Sequence, residues 1–165
     1  MYSRIHWSYR YLIFTCVADV LSKFAVSQLL ELGSGHLFVR YGWGVGIIWI
    51  EHTELRMSFG WPFAIGILAI WIFLLPRIIN AEPSPPRWFI AGMAIAFGGG
   101  IANGIDAGID GSVLNWIAIV TPRVNKAFNI ADVALSIGVL TMLPWYVRLA
   151  ASAVMTRYRR RRREP

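Results

Sequence analysis

The chain has 165 residues, 56% of them hydrophobic and only 15% charged, with a mean hydropathy of +0.53. A soluble domain carries about 25% charged residues, so the composition excludes an ordinary water-soluble fold and points to an integral membrane protein with room for one small helical unit. The net charge of +7 comes largely from the tail, where Arg157 and Arg159 to Arg163 supply six charges; beside apolar spans such a run marks a cytoplasmic end that meets anionic headgroups, and no nucleic-acid partner is expected.

Residues 1–10 are polar and aromatic and suit the cytoplasmic interface, with Arg4 and Arg10 among them. The first span is expected from about Tyr11 to Leu30, roughly 30 Å of helix and enough to cross. It carries ionisable residues and no small-residue cleavage site follows it, so a cleavable signal peptide is not expected. Cys16, the single cysteine, lies inside this run and excludes an intrachain disulfide. Asp19 and Lys23 stand four residues apart and share one helical face. They are either a neutralising ion pair that lets the helix insert or part of a site on the inner face of a bundle.

Residues 31–61 form a long loop. Gly33-Ser34-Gly35 breaks the helix, and Leu37 to Ile50 is rich in Val, Ile and aromatic residues, which favours short strands. Trp43, Trp49 and Trp61 suit a surface resting on headgroups. The second span is expected over about 62–79, with Pro62 placed for a helix start. The connector Asn80 to Arg87 holds three prolines and is not helical. The third span is expected over 88–106, where Gly92, Ala96, Gly100, Gly104 and Gly108 form a small-residue stripe that suits close helix packing. Residues 107–127 make a second loop with a strand-like stretch from Gly111 to Val120, stopped by Thr121-Pro122. The fourth span is expected over 132–155.

These elements predict an all-α integral membrane fold: a four-span domain over residues 1–155 with small β-rich outer loops, and an arginine-rich cytoplasmic tail over 156–165. Arg4, Arg10, Arg77, Arg87 and the tail then all lie on the cytoplasmic side with both termini, as the positive-inside rule requires.

Two polar stretches stand out at the outer ends of the spans, Asn103-x-x-Asp106 and Asn129-x-x-Asp132. An acid at the lip of a hydrocarbon span costs a few kcal/mol unless it is used or neutralised. Asn129 and Asp132 also have capping-box spacing, an asparagine at the N-cap and an acid at N3. That role is not open to Asn103 and Asp106, which close a span instead of opening one. His6, His36 and His52 are scattered, no His/Cys cluster has metal spacing, and neither a Gly-x-Ser-x-Gly elbow nor a phosphate loop occurs. No metal or cofactor is expected.

With these motifs in order along four spans, the chain resembles the lipoprotein signal peptidase family, signal peptidase II, over nearly its whole length. Asp19-x-x-x-Lys23 is similar to the family's first motif, and Gly98-Gly99-x-x-x-Asn103-x-x-Asp106 to its third. Phe128-Asn129-Ile130-Ala131-Asp132, with Ile137-Gly138 behind it, is similar to the motif that holds one catalytic aspartate. The resemblance implies an aspartic endopeptidase of the bacterial inner membrane that removes signal peptides from diacylglyceryl-modified prolipoproteins at the outer face. Its partners would be those signal peptides and membrane lipids. Asp132 would be catalytic, with Asn103, Asp106, Asn129, Asp19 and Lys23 supporting the pocket.

The chain also departs from the family. Val113-Leu114-Asn115-Trp116 stands where a Val-x-Asp-Phe-like stretch carries the second catalytic aspartate, so Asn115 occupies that position. Ala107 replaces an arginine, and Glu54-Leu55-Arg56 replaces an Asn-x-Gly motif. Two neighbouring carboxylates share a proton and exchange roles as the amide breaks, which an asparagine cannot do. Asn115 is therefore an engineered change, or another acid (Asp110 or Asp106) has taken the role, or the protein is a non-cleaving homologue that binds lipopeptides. The departures at Glu54 and Ala107 favour a divergent member. A small transporter, with Asp19, Lys23 and Asp106 as a polar path, is the further alternative.

Overall fold

The computed structural model describes residues 2–31, 34–40, 43–52, 60–81, 83–123 and 125–161. Within them lie four helices, α1 (Tyr2–Leu29), α2 (Gly60–Ile79), α3 (Arg87–Asp110) and α4 (Ile130–Arg161). Strands β1 (Gly35–Arg40), β2 (Trp43–His52), β3 (Val113–Val120) and β4 (Asn125–Phe128) pair antiparallel in the order β1-β2-β3-β4. All four helices are long and apolar enough to cross a membrane. The mostly helical, four-span fold with strands in its loops is the one expected from the sequence.

The helices alternate in direction. The sheet and the ends of α1, α3 and α4 that carry the polar motifs gather at one end of the bundle. The connector between α2 and α3 and the C-terminal part of α4 lie at the other. Helix α3 is the hub: its span is 67% buried, against 28% for α1 and 22% for α2 and α4. Its small residues explain this position. A Cβ on Gly98 would come within 2.7 Å of the Leu12 carbonyl oxygen of α1, and one on Gly99 within 2.5 Å of the Ala131 carbonyl oxygen of α4. Two adjacent glycines thus let two helices touch α3 backbone to backbone, where packing, not the hydrophobic effect, holds spans together. Trp71, Leu75, Ile90, Met93 and Trp145 fill the far half of the bundle. Phe14, Leu21, Phe24, Phe73, Leu140 and Leu143 point outward, a surface suited to hydrocarbon.

Some element boundaries differ from those the sequence suggests. Helix α1 already begins at Tyr2, taking in the segment expected at the interface. Helix α3 runs a turn beyond Asp106, because Ala107, Gly108 and Ile109 continue it until Gly111 turns left-handed (φ 71°) and its N–H bonds back to the Ala107 carbonyl at 3.0 Å. Thr121 and Pro122 do end β3, with the Arg123 N–H turned onto Thr121 Oγ1 at 3.3 Å. The chain then reverses into β4, which the sequence does not announce. Pro76 and Pro144 sit inside α2 and α4.

Helices α2 and α4 both pack on α3 but scarcely touch each other. The gap between them is the cavity described next. Glu54, Leu55 and Arg56, where the chain departs from the family pattern, lie outside the described residues.

Candidate active site

Asn129 is the N-cap of α4. Its Oδ1 accepts the Asp132 N–H at 2.9 Å, and Asp132 Oδ2 accepts the Asn129 N–H at 3.2 Å. This is a reciprocal capping box, in which both side chains satisfy helix-end donors that would otherwise lack partners. It does not exhaust either residue. Asp132 Oδ1 accepts from Asn103 Nδ2 at 2.8 Å, while Asn129 Nδ2 donates to Asn103 Oδ1 at 2.9 Å and to the Leu114 carbonyl at 3.1 Å. The two Asn-x-x-Asp motifs therefore meet. The capping role and the pocket role hold together, because a carboxylate has lone pairs for both.

Beside this set lies a second one. Lys23 Nζ stands 2.7 Å from Asp19 Oδ2 and 3.0 Å from Asp106 Oδ2, with both Asp19 and Lys23 buried. Asp19 Oδ1 accepts the Ala131 N–H at 2.9 Å, and Asp106 Oδ2 accepts the Leu114 N–H at 2.7 Å. Each member thus ties one element to another: α1 to α4 through Ala131, α1 to α3 through Lys23, and α3 to β3 through Leu114. The three charges close on one another, so they form a strut and not the polar path a transporter would need. Asp106 is also committed here and does not line the cavity, which argues against it as a replacement acid. The side chain of Asp110 lies outside the described residues.

Leu114 is the residue the sequence could not single out. Its side chain is unremarkable, yet its N–H is held by Asp106 and its carbonyl by Asn129. The next residue is Asn115. Fixing the peptide units on either side of Leu114 aims Asn115 inward: it is 5% exposed, and among the described residues its Oδ1 has no hydrogen-bond partner. Trp116 Nε1 donates to Ser22 Oγ at 3.2 Å and holds β3 over α1.

Asn115 and Asp132 line one cavity of 660 Å³ between α2, α3 and α4, roofed by β3 and β4. Its length is apolar, with Phe63, Ile67, Phe97, Leu135 and Val139 in the walls; its roofed end carries Asn103, Asn115, Lys126 and Asp132. Lys126, on β4, also went unnoticed in the sequence, since only pairing across β3 brings it to this cavity. Asp19 and Lys23 lie outside the cavity wall. Among the described residues no group of His, Cys, Asp and Glu could hold a metal.

Comparison with known proteins agrees with this geometry. The family described as signal peptidase (SPase) II matches residues 11–148. The lipoprotein signal peptidase of Listeria monocytogenes serotype 4b is 30% identical over 144 residues, 82% of this chain and 90% of that protein. The protein of the same name from Thermosynechococcus vestitus is 30% identical over 105 residues, and the match spans 57% of its length. That from Parasynechococcus marenigrum is 44% identical over 78 residues, 46% of each chain. Among solved structures, a bacterial membrane enzyme determined in meso at 2.3 Å superposes with a TM-score of 0.72 at 19% identity, covering 90% of this chain and 92% of that one. A second, at 1.9 Å, gives 0.67 at 21% identity, covering 86% and 93%. These two establish a shared fold. With the family matched across all four spans and its ordered motifs brought together at one end of the bundle, the chain belongs to the signal peptidase II family.

Proposed function

We propose that this protein is a membrane-embedded aspartic endopeptidase that removes signal peptides from diacylglyceryl-modified prolipoproteins. The observation that carries this is the cavity: a long apolar groove that ends at Asp132 and Asn115. Lipid chains and the apolar core of a signal peptide match the groove walls, which supports a reading with the scissile amide at the polar end. Asp132 accepts hydrogen bonds on both oxygens, from Asn103 and from its own capping partner, which fix the orientation of its carboxylate in the cavity wall. It serves as base toward water. Asn115, at the position of the second catalytic aspartate, presents an amide to the substrate carbonyl. Asn103 and Asn129 hold Asp132 in place; Asp19, Lys23 and Asp106 hold the elements that carry them.

The site end of the bundle faces outward from a bacterial inner membrane, with both termini in the cytoplasm. The placement of Arg77, Arg87 and Arg157 at the end opposite the sheet supports this. Thiols introduced at Gly44 and Ile109 should react with an impermeant reagent from outside, and one at Ser84 should not; labelling at Ser84 alone would reverse the orientation.

Asn115 favours one second reading, a homologue that binds lipopeptides without cutting them. Incubating the purified protein with a diacylglyceryl-modified prolipoprotein, and with its unmodified precursor as control, separates the two. A gel shift of the modified substrate alone supports the peptidase. Binding with no shift, in this protein and in Asn115→Asp, supports the non-cleaving homologue.

A further inference from the structure

An aspartic mechanism needs a group that gives a proton to the leaving nitrogen, and Asn115 cannot be that group. We propose that Lys126 supplies it, acting as the general acid opposite Asp132. The inference rests on the peptidase reading above and deepens it.

Lys126 is the one cation in the cavity wall among the described residues. It is exposed at the edge of the sheet, and it also lines an adjoining groove of 470 Å³ in which Asp132 again forms part of the wall. It thus stands where two openings meet at Asp132. Pairing places Lys126 opposite Ile119 and Phe128 opposite Ile117. By strand alternation Asn115, Ile117 and Ile119 share a sheet face, so Lys126 shares it too. Asn115 and Lys126 therefore line one cavity from neighbouring strands, and Asp132 of α4 lines the same cavity. An edge-strand lysine can serve merely to block sheet extension or to reach headgroups. Neither role calls for a place in the wall of both cavities that Asp132 lines.

The steps balance. Water attacks the scissile carbonyl carbon and passes one proton to Asp132, while Asn115 Nδ2 donates a hydrogen bond to the oxyanion. The Lys126 ammonium protonates the amide nitrogen, and the carbon–nitrogen bond breaks to give a carboxylic acid and a free amine. The proton on Asp132 then passes through water to the neutral Lys126 amine, which restores both groups. No oxidant, metal or co-reactant enters.

The test compares initial cleavage rates of a diacylglyceryl-modified prolipoprotein by the purified full-length protein and four variants. Lys126→Met should lose about 10²–10⁴-fold, the usual worth of a general acid. Lys126→Arg should fall nearly as far, because a guanidinium keeps the charge but does not release a proton. Asn115→Asp should be active, and Asn115→Asp with Lys126→Met should return to within roughly ten-fold of the unaltered protein, a tenth of the smallest loss expected of Lys126→Met alone. That rescue also guards against a folding artefact, since a misfolded Lys126→Met would not be restored by a change on another strand. A wild-type rate in Lys126→Met or Lys126→Arg, or a double variant as inactive as Lys126→Met, overturns the proposal. Activity in Asn115→Asp with none in the unaltered protein overturns it too but leaves the peptidase reading standing. Inactivity of both removes the peptidase reading itself.

Discussion

Two polar clusters lie side by side at one end of this bundle and are built on opposite terms. In the first, Asp19, Lys23 and Asp106 are paired, and both carboxylates also accept a backbone N–H. In the second, Asp132 is oriented by Asn103 and Asn129 but lines a cavity, in whose wall Asn115 keeps an oxygen with no hydrogen-bond partner among the described residues. The first has its interactions satisfied within the protein; the second leaves some for a substrate. The contrast separates structure from chemistry among residues that look alike in the sequence.

That contrast can be broken from either side. The largest loss of stability should come from the closed cluster. Lys23→Met leaves the buried Asp19 and the half-buried Asp106 carboxylates without their cation and should cost about 3–5 kcal/mol, read as a lowered unfolding temperature in detergent. Replacing all three charges at once, with Asp19→Asn, Lys23→Met and Asp106→Asn, should cost less than Lys23→Met alone, because no unpaired charge remains. A triple variant less stable than the single one would show that the cluster is more than a strut. Next comes Asn129→Ala. Loss of the cap alone should cost about 0.5–2 kcal/mol, and cleavage should fall as well, since the same side chain carries Asn103 and the Leu114 carbonyl. Narrowing the groove with Leu135→Trp should raise KM for the lipidated substrate while leaving stability near that of the parent, a split that steady-state kinetics would show. The smallest effect belongs to Ser136→Ala. This hydroxyl, in the second groove, donates only to the Asp132 carbonyl at 2.9 Å, and its loss should change stability by no more than about 0.5 kcal/mol.

The spans and the side chains that converge on the site were legible in the sequence for a physical reason. Hydrocarbon demands long apolar runs, and each acid or amide placed in one stands out against them. Hence Asp19, Lys23, Asn103, Asp106, Asn129 and Asp132 could be named from their positions alone, and Asn115 as a departure from the family pattern. The partners of those residues were not legible. Asp106 has the same spacing from Asn103 as Asp132 from Asn129, yet it turns to Lys23 and the Leu114 N–H, a choice made by the extra turn of α3 and the position of α1. Leu114 and Ala131 act through their backbones, which no side-chain pattern reveals. Strand β4 was missed because Asn125 and Lys126 have little strand preference and gain it only from pairing with β3, and with it Lys126 was missed.

The central claim is that Asp132 performs the chemistry while its neighbours position it. Asp132→Asn tests this most directly, since the amide keeps the size of the side chain and an acceptor for the Asn129 N–H. Binding and single-turnover cleavage of a diacylglyceryl-modified prolipoprotein should be measured on the same purified sample. The expected result is lipopeptide binding within a few-fold of the unaltered protein, with cleavage reduced by about 10²–10⁴-fold. Cleavage by Asp132→Asn at the unaltered rate would contradict the account.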